Sequence, residues 1–338
     1  MLMELGRWPD GSCKSRGLIY SCMGLLPDIA AMEHYLIPPF LKGGARIGIM
    51  APARPVSWDE LAPALDFIAR NDWEAVVGNT IGSKHFVLSA PAEQRRYELQ
   101  QMLDNPDVNA IWMARGGYGS VQFVDQLDWT AFRHHPKWLI GFSDATTLLS
   151  ASLAHGVAAL HATMPQQLTL KGQHEETLQS LAQLLRGEKM EYQWKGSHFG
   201  PGDPISGPLV GGNLSLLYNQ MGSPTQPDAR GAIVFLEEIG EYCYHFDRML
   251  WGLRRSGFFD GALAILTGGL AQMLDNDDDP WGNSSFEILK QHSFEMEIPL
   301  VLDFPAGHQQ PNIALPLGLS CQLQVSGAGD SLILKAKA

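Results

Sequence analysis

Between Arg46 and His161 the sequence switches repeatedly between two hydrophobic periods, and this alternation restricts the fold more than any other feature. Short apolar runs suited to buried strands occupy 46–50, 73–77, 109–114, 138–142 and 157–161. Stretches with helical spacing stand between them, at 57–71, 91–103, 120–127 and 146–155. Ser57 and Glu60 have capping-box spacing at the first of these helices, and Gly156 ends the last. Strands linked through helices run parallel, so an α/β fold with a mostly parallel sheet is expected for this half.

The pattern breaks over 166–208. One helix is expected at 175–185, and then a polar run, GSHFGPGDPISGP, carries the Gly and Pro of a linker. Residues 37–165 therefore read as a first domain and 209–338 as a smaller second α/β domain with mixed strands. The second has helices expected at 213–220 and 246–255, strands at 232–236, 263–266 and 300–302, and a hairpin-like tail at 320–325 and 331–334. Residues 1–36 read as an N-terminal extension. The apolar stretch at 17–31 follows Lys14 and Arg16 but is interrupted by Pro27 and Asp28, so it fits a signal peptide poorly. No later stretch reaches the roughly 18 apolar residues of a membrane span.

Composition excludes some functions. With 45% hydrophobic and 18% charged residues, the 338-residue chain can build a large core. The net charge is −12 and no Lys/Arg-rich run exists, which argues against nucleic acid as a partner. The four cysteines form no C-x-x-C pair, which leaves zinc and thioredoxin-like chemistry without support and suits a reducing, cytoplasmic compartment.

Four segments could carry chemistry. Arg115-Gly-Gly-Tyr-Gly-Ser120 lies between an expected strand and an expected helix. There Ser120 is either a nucleophile lifted on a helix N-terminus or an ordinary N-cap. Gly141-Phe-Ser-Asp-Ala145 approaches the G-x-S-x-G elbow, making Ser143 a rival nucleophile. The charge of Asp144 would oppose an oxyanion there, so Ser143 and Asp144 are read as caps of the following helix. Glu237 and Glu238 end an apolar strand, where a carboxylate can orient a histidine. His308 sits in a Pro/Gly-rich loop after the strand at 300–302, a position suited to a general base. Two further segments read as structural. Asp275-Asn-Asp-Asp-Asp279 lacks the Gly and Glu of a calcium loop, and Gly211-Gly-Asn-Leu-Ser215 reads as a close-packed helix start.

These segments, with the blocks at 38–52, 110–120, 140–146, 209–215, 235–238 and 247–250 and with Gly307-His308, resemble the LD-carboxypeptidase family of serine peptidases. That family includes murein tetrapeptide carboxypeptidases and microcin C self-immunity peptidases, and the resemblance spans about residues 37–325. It implies an N-terminal Rossmann-like domain, a smaller C-terminal domain, a site between them, no metal or other cofactor, and frequent homodimers. It assigns Ser120 as nucleophile, Glu237 as the acid (with Glu238 adjacent and not distinguished) and His308 as base. Backbone N–H groups near Gly117 and Val121 would then hold the oxyanion.

The implied substrate is a small murein-type peptide with a terminal D-amino acid. Its carboxylate calls for a cation, and Arg115 or Arg248 could supply it. Two other readings stay open. One is a same-fold peptidase acting on a peptidyl-nucleotide antibiotic, with Trp194 or Phe199 stacking on the base. The other is a silent peptide-binding protein. At Ala53-Arg54 the chain departs from the Ser residues that many relatives carry after the Ala-Pro pair.

Overall fold

Local chemistry starts the first helix where its spacing predicts it. Ser57 Oγ accepts from the Glu60 N–H while the Glu60 carboxylate accepts from the Ser57 N–H, and the helix runs over Trp58–Arg70. Such reciprocal capping is worth about 1 kcal/mol. The helix buries Leu61, Ala64, Phe67 and Ile68, a stripe at helical spacing. In this computed structural model the described residues are 35–169, 175–200, 202–325 and 331–336. The expected extension lies outside them except for Tyr35 and Leu36, and Leu36 bridges to Val157.

The chain forms five strands in its first half: β1 (Arg46–Met50), β2 (Glu74–Val77), β3 (Ala110–Met113), β4 (Trp138–Gly141) and β5 (Ala159–His161). Among the described residues nine follow: β6 (Met190–Lys195), β7 (His198–Phe199), β8 (Ile205–Asn213), β9 (Ile233–Ile239), β10 (Ala264–Ala271), β11 (Leu300–Val301), β12 (Leu315–Leu317), β13 (Ser320–Val325) and β14 (Ser331–Ala336). The first sheet has the order β12-β5-β4-β3-β1-β2. Its β1 to β5 pair in parallel, and β12 adds an antiparallel edge. Every residue of β3 and β4 is buried, as expected for a parallel sheet covered on both faces. The order 2-1-3-4-5 reverses between β1 and β3, and ligands of such sheets bind outside the carboxyl ends of the strands at that switch point.

The second sheet has eight strands in the order β6-β14-β13-β8-β9-β10-β11-β7. Its centre, β8 to β11, is parallel and its flanks are antiparallel. The expected linker at 166–208 is largely structured: it supplies the helix Glu175–Leu185 and the strands β6 and β7, and β8 begins within it. The expected helix at 120–127 is replaced by two short 3-10 turns, Ser120–Gln122 and Val124–Gln126. Among the described residues no helix is long and apolar enough to cross a membrane.

Candidate active site

The carboxyl ends of β3, β4, β8 and β9 and the loop after β11 carry the chemistry-bearing residues. Glu237 and Glu238 are consecutive in β9, so their side chains leave opposite faces. This separates two acids that the sequence left equivalent. Glu238 Oε1 accepts from Asn213 Nδ2 at 2.9 Å and Oε2 from the Ser215 N–H at 2.8 Å, so it anchors the turn after β8. Glu237 is fully buried, and its Oε2 lies 2.6 Å from His308 Nδ1.

Burial alone would lower the His308 pKa. The hydrogen bond to Glu237 and the charges of Glu237 and Glu238 outweigh that and hold it above the ordinary value. Burial would likewise raise the Glu237 carboxyl, but its hydrogen bond and charge contact with His308 hold it low. The loop behind the histidine is tightly seated. Gly307 has φ +92°, its N–H donates to Asn312 Oδ1 at 2.9 Å, and a Cβ there would come 2.8 Å from Glu237 Cβ. Only glycine fits that contact.

The two serines have different surroundings. Ser120 has no exposed surface, and its Oγ donates to Asp144 Oδ2 at 2.6 Å. Asp144 also accepts from the N–H groups of Gly119, at 3.1 Å, and Ser120, at 3.0 Å. Burial raises the Asp144 carboxyl, against the hydrogen bonds from Ser120 and Gly119 and the charge of Arg95. Arg95 is itself buried and donates to the carbonyls of Ala90 and Gly119. Ser120 thus belongs to a buried hydrogen-bonded set beneath the Gly-rich turn.

Ser143 is half-buried and sits at φ +59° between β4 and a helical turn. A left-handed backbone at a non-glycine residue is strained, and it occurs where a strand-to-helix turn must lift a serine out of the sheet. The expected capping role is absent, since neither the 3-10 turn Ser143–Ala145 nor the helix Thr146–Ala154 has a side-chain cap. Asp144 turns back to Gly119 and Ser120, which removes the charge argument against Ser143. Phe142, the residue before it, has its ring 4.8 Å from the His308 imidazole. A Cβ on Gly116 would lie 3.1 Å from Ser143 Oγ, so the Gly-rich turn packs directly on this hydroxyl. Among the described residues neither serine is hydrogen-bonded to His308.

The two sheets meet beside this point. The Asn213 N–H donates to Thr146 Oγ1 at 3.2 Å, and Gly212, at φ +147°, leaves room for Thr146. The close-packed reading of Gly211-Gly212 therefore describes Gly212 against the helix that follows Ser143 and Gly211 against the Phe235 backbone. Arg115 donates to the Pro55 carbonyl at 3.0 Å and lies 3.7 Å from Glu60, while the Arg248 guanidinium covers the Tyr244 ring at 5.2 Å. Trp194 is buried, donates to the Leu302 carbonyl at 2.9 Å and packs edge-on to Phe304. Phe199 packs on Phe286 under Lys290. Neither ring is free to stack on a base. No set of three or more His, Cys, Asp or Glu among the described residues is grouped to hold a metal ion.

Two family models match the chain: the LD-carboxypeptidase N-terminal domain over residues 47–162 and the C-terminal domain over 206–323. The murein tetrapeptide carboxypeptidase of Pseudomonas aeruginosa is 32% identical over 82% of this chain and 93% of its own length. The chain belongs to the LD-carboxypeptidase family. The microcin C7 self-immunity protein MccF of Escherichia coli is a more distant relative, 24% identical over 89% of this chain and 96% of its own. Among solved structures, the muramoyltetrapeptide carboxypeptidase from Oxalobacter formigenes matches with a TM-score of 0.79 at 28% identity, covering 87% of this chain and 99% of that one. In this LD-carboxypeptidase the Glu237–His308 pair comes from the region matched to the C-terminal domain, and Ser143 from that matched to the N-terminal domain. The backbone geometry at residue 143, invisible in the sequence, separates the two serines.

Proposed function

We propose that this chain is a serine carboxypeptidase that hydrolyses the amide between an L-centre and a terminal D-amino acid, with a murein tetrapeptide as its substrate. The single observation that carries the reading is the buried Glu237 carboxylate held 2.6 Å from His308 Nδ1, with the ring of Phe142 packed on the imidazole next to the raised Ser143. The catalytic serine in this reading is Ser143, and Ser120 serves as a buried support.

The reaction follows from these groups. Glu237 keeps the His308 Nδ1–H in place, which leaves Nε2 as the acceptor. His308 takes the Ser143 proton as Oγ attacks the carbonyl carbon. The backbone N–H of Asp144, following the nucleophile, and that of Gly117 on the facing turn bind the oxyanion. Among the described residues the Gly117 N–H has no backbone acceptor of its own. Val121 was expected beside Ser120 and loses that role once the nucleophile moves. His308 then protonates the leaving amine, the C–N bond breaks, and water attacks the acyl-Ser143 ester to regenerate the hydroxyl. Few cysteines and no basic run suit a cytoplasmic enzyme acting on a small peptide.

The test is D-alanine release from a murein tetrapeptide by the purified chain, run beside Ser143→Ala. Release that disappears in the variant supports the reading. Release unaffected by Ser143→Ala overturns the nucleophile, and no release by the wild-type chain overturns the substrate class.

A further inference from the structure

Resting on that reading, we infer that Arg54 is the residue that recognises the substrate's terminal carboxylate. A carboxypeptidase must prefer a chain end to an internal amide, and a fixed cation beside the nucleophile is the simplest chemical means. Both cations expected from the sequence are engaged elsewhere, Arg115 on the Pro55 carbonyl and near Glu60, and Arg248 on the Tyr244 ring. Arg95 lies buried in the scaffold under the Gly-rich turn.

Arg54 differs on each count. It is exposed, and among the described residues its guanidinium has no ion pair or hydrogen bond. It follows β1 at the sheet's switch point, and its N–H donates to the Gly116 carbonyl at 3.3 Å, which ties its backbone to the turn after β3. Its stem lies along Gly117, where a Cβ would meet Cγ, Cδ and Nε at 2.7, 2.8 and 2.9 Å. A Cβ on the preceding Gly116 would meet Ser143 Oγ at 3.1 Å. One tight turn therefore carries the hydroxyl against one glycine and the cation's stem against the next. The side chain is long enough to set its planar fork on a carboxylate one residue beyond the attacked carbonyl. Neighbouring Ala53 is buried and Pro55 restricts the backbone, so the stem starts from a rigid base.

The test separates binding from turnover. Affinities of a murein tetrapeptide and of the same peptide ending in a carboxamide are measured on the Ser143→Ala chain and on Ser143→Ala with Arg54→Gln. Glutamine keeps the stem on Gly117 and removes the charge. The free acid should bind about 10–100-fold more tightly than the amide, the range for a charge-assisted pair. Arg54→Gln should erase that difference while leaving amide affinity unchanged, and Arg54→Lys should restore part of it. An acid preference that survives Arg54→Gln, or equal binding of both peptides with Arg54 intact, overturns the assignment. D-alanine release by the wild-type chain then shows whether the broader reading stands without it.

Discussion

Ser120→Ala and Ser143→Ala should fail in opposite ways. Ser120→Ala removes the hydroxyl that donates to Asp144 Oδ2 at 2.6 Å, with both groups buried. The two N–H donors from Gly119 and Ser120 remain, so the carboxylate is weakened in its support but not abandoned. Losing one hydrogen bond to a charged buried group costs about 1.5–3 kcal/mol. Unfolding roughly 300 residues carries an entropy of about 0.6 kcal/mol per kelvin, so Tm should fall by about 2–5 °C. Turnover should stay within about threefold, because backbone donors still hold the turn in place. Among the described residues Ser143 Oγ makes no hydrogen bond, and alanine relieves little strain, so the Tm of Ser143→Ala should change by less than about 1 °C. Its kcat/KM should drop by at least about 1000-fold, as for loss of a nucleophile.

The assay pairs thermal denaturation with D-alanine release, and adds intact-mass detection of a fluorophosphonate adduct on each variant. Adduct formation should persist in Ser120→Ala and vanish in Ser143→Ala. The reverse pattern, with Ser120→Ala inactive at unchanged Tm and still folded, would refute the reasoning from burial and backbone angle.

Four further outcomes follow. His308 must be neutral to accept a proton and Glu237 raises its pKa, so kcat/KM should climb with pH through a value above the ordinary histidine range. The His308 contribution to stability has the opposite course, being complete below the unfolded histidine pKa and lost as pH rises through the folded one; denaturation series at several pH values report it. Gly307→Ala sets a Cβ 2.8 Å from Glu237 Cβ at a φ of +92°, so steady-state turnover should fall by about 100-fold from misplacement of His308, with a smaller relative change in Tm. His161 is fully buried, neither ring nitrogen has a partner among the described residues, and burial lowers its pKa to about 4. Stability should therefore be lost as pH falls from about 6.5 towards 4, by on the order of 3 kcal/mol. His161→Leu should flatten that slope in urea titrations.

Much of the fold was legible because parallel strands buried on both faces leave continuous apolar runs. The runs at 46–50 and 138–142 fall on β1 and β4 to within a residue. Within 166–208 the helix at 175–185 is legible, but β6 is a flank strand with alternating exposure and β7 has only two residues, so neither gives an apolar run. The turns at 120–127 were read as one helix because their apolar residues have helical spacing. Phe123 and Val124 are buried, but Gly119 at φ +151° and the pull of Asp144 on Ser120 tighten the backbone into 3-10 geometry.

The site divides along the same line. Period-2 alternation already implies that only one of Glu237 and Glu238 can face a given partner, although which one depends on the sheet's packing. The serines were harder, because Ser120 and Ser143 both follow a fully buried strand, both precede a turn, and both have glycine nearby. Composition favours Ser120, since glycines 116, 117 and 119 look like an anion cradle and Asp144 looks like a hostile neighbour. Long-range pairing supports the proposed choice of Ser143 instead. Asp144 is 24 residues from Ser120 in sequence, yet its carboxylate is what holds the Gly-rich turn in shape. The acid beside Ser143 has its carboxylate engaged by Gly119 and Ser120 in the facing turn. The elbow motif G-x-S-x-G was present in weakened form at 141–145, and its alanine fits because Ala145 packs where a Cβ on Gly141 would come within 2.8 Å. In that elbow the small residue that the turn requires stands at both ends, and the strained φ of Ser143 follows from the turn it must make.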